Sequence, residues 1–122
     1  MLSMKEYIKG MDKEYYIETW ESMTPREKLD EYLCNILNLD FGDDFFKIET
    51  IEQCINNCKK SLDNPEFKDI KNIMLDTIDE LEKYKGKGLF CKFVTDMNSC
   101  LYSQCYVIFT EGYEYINYIR VI

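Results

Sequence analysis

Apolar positions recur at helical spacing through the first two thirds of the chain and at a period of two in the last third. Ser3-Met4-Lys5-Glu6 has the form of a capping box. Met4, Tyr7, Ile8 and Met11 follow it, and Asp12 reopens a stripe through Tyr16, Ile17, Trp20 and Met23. The pattern predicts a helix over 4–22, bent or broken near Gly10. Thr24-Pro25-Arg26-Glu27 combines a capping threonine, a proline at the first helical position and a glutamate to close the box. Leu29, Tyr32, Leu33, Ile36 and Leu37 then mark one face of a second helix, 25–38. Thr50 and Gln53 repeat the box before a stripe of Ile51, Cys54, Ile55, Cys58 and Leu62, which predicts a helix over 51–62. Asn64-Pro65 opens a fourth. Its expected buried stripe is Phe67, Ile70, Met74, Ile78 and Leu81, and Lys85-Gly86-Lys87-Gly88 stops it.

Beyond Gly88 the period changes. Leu89, Cys91 and Phe93 alternate with Phe90, Lys92 and Val94, and two further runs rich in β-branched and aromatic residues flank Glu111-Gly112. Three antiparallel strands are expected near 89–95, 104–110 and 113–121. Helices followed by strands predict an α+β fold in one domain: a helical part, 1–86, and an antiparallel meander, 88–122, with the helices on one sheet face. No repeat or linker divides the chain, and 122 residues suit one domain with a real core.

Charge narrows the partners. Asp and Glu number 23 against 15 Lys and Arg, a net charge of −8. That balance argues against direct binding to nucleic acid or to an anionic membrane. No run approaches 18 apolar residues, and no leader-like segment stands at the start, so a membrane span is not expected and a reducing cytoplasm is. Residues with A/T-rich codons (Phe, Tyr, Met, Ile, Asn, Lys) make up 57 of the 122, and alanine is absent. An A/T-rich genome of a bacterium, phage, mobile element or large DNA virus accounts for this, with no bearing on mechanism.

Histidine is absent too, which removes Ser–His–Asp and Cys–His catalysis and the usual near-neutral acid or base. Six cysteines remain: Cys34, Cys54, Cys58, Cys91, Cys100 and Cys105. None forms a C-x-x-C pair, so zinc-ribbon and thioredoxin spacings are missing. Cys54 and Cys58 share a helix face and Cys100 and Cys105 flank a turn, the best four residues for a metal or redox site. Buried structural thiols are the commoner use of such positions. Asp40, Asp43 and Asp44 crowd one loop without the calcium-loop spacing, and solvated loop acids explain them. Phosphate-cradling glycine motifs are absent. No cofactor and no metal are expected.

Tyr102, Tyr106, Tyr113, Tyr115 and Tyr118 crowd the last strands. Strict alternation puts Tyr113 and Tyr115 on one face and Tyr118 on the other. Tyrosine is at home in strands, and it is also enriched at protein interfaces. The expectation is therefore a non-catalytic acidic protein that binds and inhibits a partner protein. The partner would be a toxin neutralised by its immunity protein, or a defence factor blocked by a phage or viral inhibitor. Candidate contact residues are Asp43, Asp44, Tyr113, Tyr115 and Tyr118. The alternatives are a cysteine-based site in a small enzyme or sensor, and self-assembly, such as a homodimer paired through the C-terminal strand.

Overall fold

The computed structural model describes Met4, Glu6 and residues 20–41, 47–98 and 104–121. Most of the helix expected over 4–22 lies outside these residues. Among them the chain forms three α-helices and a five-stranded antiparallel sheet, so the α+β class holds while the expected four helices and three strands do not. The helices are α1 (Pro25–Tyr32), α2 (Ile51–Ser61) and α3 (Lys71–Glu82). The strands are β1 (Leu39–Asp40), β2 (Glu49–Thr50), β3 (Phe90–Asp96), β4 (Gln104–Phe109) and β5 (Tyr115–Arg120).

The capping boxes at Thr24 and Thr50 form, while Ser3 of the first expected box lies outside the described residues. The Glu27 N–H donates to Thr24 Oγ1 at 3.2 Å, and the Gln53 N–H donates to Thr50 Oγ1 at 3.1 Å. Each N3 side chain accepts the cap residue's own N–H in return. The helix expected over 25–38 changes its hydrogen-bonding step partway, from i→i+4 to i→i+5. Leu33–Leu37 is a π-turn that ends at Asn38 in the left-handed region (φ 52°). The helix after Asn64-Pro65 also starts differently. Asn64 caps it, but Pro65–Ile70 is 3₁₀, with Phe67 off helical geometry (φ −102°, ψ 15°), and α3 begins only at Lys71. After α3, Gly86 and Gly88 take φ of 76° and 66°, the left-handed turns a helix stop needs.

Strand β3 is the hub. Strand β4 pairs along one side of it, and β1 and β2 pair end to end along the other, through Leu39–Asp96 and Thr50–Phe90. Strand β5 pairs with β4 and ends the sheet order. The two short strands went unseen because two residues show no periodicity. They also tie the helical half into the sheet, so the sheet is not confined to 88–122.

Helices cover both faces, contrary to the one-sided packing expected. Leu29, Tyr32, Leu33 and Leu37 pack with Val94, Val107 and Phe109 on one face. Ile51, Ile55, Ile78 and Leu81 pack with Cys91 and Ile108 on the other. The reason is visible in β3 and β4, where consecutive residues are apolar on both sides, as in a strand buried twice over. Lys92 is the exception. It is 1% exposed on the α1 face, with Nζ donating to the Phe41 carbonyl and lying 4.8 Å from the Phe41 ring centroid.

A bulge corrects the tyrosine geometry. Ile108 pairs with Asn117 but Phe109 pairs with Tyr115, so Ile116 is an extra residue in β5. The added residue shifts the alternation by one. Tyr115 and Tyr118 therefore lie on the same face, and both pack with Tyr113 against the α1 core. In the preceding turn it is Tyr113, not Gly112, that adopts positive φ (63°).

Candidate functional site

Asp43 and Asp44 lie outside the described residues. Tyr113, Tyr115 and Tyr118 are half-buried. Tyr113 stacks on Phe109 with centroids 5.6 Å apart, and Tyr115 meets Tyr32 at 5.5 Å. The Tyr115 hydroxyl is buried without a hydrogen-bond partner. Burial, and then the neighbouring Tyr32, push its phenol well above the ordinary range.

The cysteines divide between the two faces. Cys54 and Cys58 belong with Cys91 to the α2–α3 core, whereas Cys105 belongs to the α1 core. The sheet separates them, so Cys54, Cys58 and Cys105 cannot meet at one site, and Cys100 lies outside the described residues. Tyr106 adds its hydroxyl to the Cys54–Cys58 group, 3.8 Å from Cys58 Sγ. The hydrogen bond with Cys54, and then burial, push the Cys58 thiol up. For Cys54, the Cys58 contact acts downward, but the Cys91 contact and burial outweigh it and the thiol is again pushed up. Burial raises Cys105 to about 12. These three are protonated, shielded thiols, the opposite of an activated nucleophile. Among the described residues no three His, Cys, Asp or Glu side chains could hold a metal ion.

A polar network closes the end of the sheet beside the π-turn. Asp96 is 1% exposed and accepts from the Asn98 N–H at 2.9 Å, from Asn98 Nδ2 at 2.8 Å and from Arg120 Nη2 at 2.5 Å. Asn98 Nδ2 also reaches the Leu37 carbonyl at 2.7 Å, and Asn38 Nδ2 reaches Asn98 Oδ1 at 3.0 Å. Burial acts to raise the Asp96 carboxyl, but the Asn98 bonds and Arg120 outweigh it and hold it below the usual carboxylate value. All of these groups satisfy one another. The network stitches β3, β5 and the π-turn together.

A groove lies on the opposite face. The stripe expected to be the buried side of the fourth helix is buried only in its second half, at Ile78 and Leu81. Its first half stands off the sheet. Phe67, Ile70 and Met74 form one wall of a groove of about 460 Å³, and Phe93, Tyr106 and Val121 form the other. The kinked 3₁₀ start of the segment, Pro65–Ile70, accompanies this separation. Helical periodicity cannot distinguish a stripe that meets a core from one that lines a groove, so the sequence could not show this.

The same segment is unusual in two ways. Phe67, Ile73 and Leu75 are exposed at 37%, 36% and 41%. Residues 63–82 also carry seven carboxylates against two lysines. No described helix is long and apolar enough to cross a membrane. Comparison with protein-family models, with curated proteins and with solved structures gives no match.

Proposed function

We propose that this chain is a non-catalytic acidic protein that binds and inhibits a partner protein, as a toxin's immunity protein or as a phage or viral inhibitor of a defence factor. The observation that carries the reading is the segment Pro65–Glu82. It places three exposed large apolar side chains among six carboxylates, at an apolar groove. Apolar contact area set in a strong field of one sign is the composition of a surface that meets an oppositely charged protein. The reading is supported further by what the titratable groups do. Asp96 and Arg120 are spent on each other, and Cys54, Cys58 and Cys105 are held protonated in the cores.

The test is recovery of the partner followed by its inhibition. Tagged chain is purified gently from its native host and its complexes are weighed by native mass spectrometry. The partner's own activity is then titrated with pure chain. Inhibition complete at a fixed molar ratio supports the reading. A partner whose activity is unchanged at saturation overturns it, as does recovery of nothing but copies of the chain itself, which would favour self-assembly through β5.

A further inference from the structure

The apolar groove adjoins a second, smaller depression. The two share Thr77 and Val121, and the second, of about 190 Å³, is lined by Ile73, Ile119 and the acidic pair Asp76 and Glu80. Arg120 also borders it; its Nη2 pairs with Asp96 at 2.5 Å and its side chain is 56% exposed. Glu80 carries an exposed contact to Lys83 at 2.8 Å, a pair of the kind that yields readily to a competitor. Among the described residues Asp76 has no ion-pair partner. The depression thus has two adjoining compartments, one with mainly apolar walls that Lys47 and Glu49 also line, the other bearing Asp76 and Glu80.

Resting on the reading above, we propose that this depression receives a segment of the partner protein that carries an apolar side chain and, close by, an arginine or lysine. The apolar side chain fills the space between Met74 and Phe93, and the cationic group reaches Asp76 and Glu80. Size and charge both match. The larger compartment, of about 460 Å³, falls within the volume range of small-ligand clefts and has room for a phenyl side chain and the backbone that carries it. An apolar gap left to water gains by being filled, and anionic side chains at one end give the occupant a direction. In an extended segment, side chains two positions apart point the same way. A probe with that spacing is acetyl-Phe-Gly-Arg-amide.

The experiment titrates the isotope-labelled chain with this tripeptide, with acetyl-Phe-Gly-Glu-amide and with acetyl-Gly-Gly-Arg-amide, following backbone amide signals. The arginine tripeptide with phenylalanine is expected to shift Met74, Thr77 and Val121 saturably. Its half-saturation should lie about tenfold below that of either control, the scale of one lost anchor. Met74→Trp and Val121→Trp fill the groove from opposite walls, and both should abolish the shifts while the rest of the spectrum stays native. Asp76→Asn should erase the preference for arginine over glutamate. Equal half-saturation for all three peptides, shifts confined to other surfaces, or unchanged binding by either tryptophan variant with a native spectrum would overturn the proposal. The same variants separate it from the broader reading. A partner inhibited equally by the wild type and by both tryptophan variants sinks the groove alone. Tripeptide binding as expected, with no partner inhibited, sinks the inhibitor reading alone.

Discussion

At the scale of single residues, three groups have consequences that can be measured. The Tyr115 hydroxyl is buried with no partner, and leaving such a group dry and unpaired is costly. Tyr115→Phe is therefore expected to raise stability by about 1 kcal/mol in denaturant titration. Asp96 is the opposite case, with three donors on one carboxylate. Its folded-state pKa lies below the unfolded value. The stability it supplies is thus present above about pH 4 and is lost as pH falls through the folded value. Asp96→Asn should lower stability at pH 7 by about 2 kcal/mol and flatten the acid limb of a melting-temperature profile. The thiols give a third check. Cys54, Cys58, Cys91 and Cys105 are buried and Cys34 is exposed. In native protein, titration with a chromogenic disulfide should find Cys34 fast and these four silent until denaturant is added, with Cys34→Ser lowering the fast signal by one thiol.

At the scale of elements, the helix starts were the most legible part of the chain. Thr24 and Thr50 cap as their boxes demand because a capping box is entirely local: four consecutive residues satisfy each other's N–H groups. Thr50→Ala is accordingly expected to cost about 1 kcal/mol, read as a lower denaturation midpoint with an unchanged slope. Helix interiors were less legible. Nothing in Leu33–Leu37 announces a π-turn, and its stability comes from contacts made far away, as the Asn98 amide on the Leu37 carbonyl shows. Strand β5 makes the same point. Its composition identifies it as a strand, but one inserted residue at Ile116 reverses the face of every side chain before it relative to strict alternation. The tyrosine cluster was visible in the sequence, and the face each ring occupies was not.

At the scale of the whole molecule, the decisive feature is a sheet covered on both sides. Val107 and Ile108 are neighbours in β4, both fully buried, and they enter different cores. Val107→Ala and Ile108→Ala should each cost about 2–4 kcal/mol, although the two side chains share no contact cluster. Because their environments are separate, the double variant should come out close to the sum of the two. Two-sided burial also explains Lys92. A polar residue inside an alternating strand reads as solvent-facing when one face is open. Here no face is open, and its ammonium is carried to the Phe41 carbonyl, 51 positions away in sequence. The groove has the same origin at the level of packing. The second half of the Phe67–Leu81 stripe reaches the sheet and the first half does not.

By itself the sequence determined whatever depends on neighbours along the chain. That covers the two capping boxes, the proline-led start at Asn64, the glycine stop after α3, the three long strands, the acidic balance and the loss of histidine chemistry. Such features follow from local hydrogen bonding, backbone sterics and the identities of the side chains, and these are the same in any fold. The tertiary structure alone decided how the pieces share space: helices on both faces, β1 and β2 on the edge of β3, the thiols split between two cores, the bulged tyrosines and the groove beside α3. Each of these depends on contacts between residues far apart in the chain, and a pattern of hydrophobic and polar positions records that a face is apolar without recording what comes to cover it.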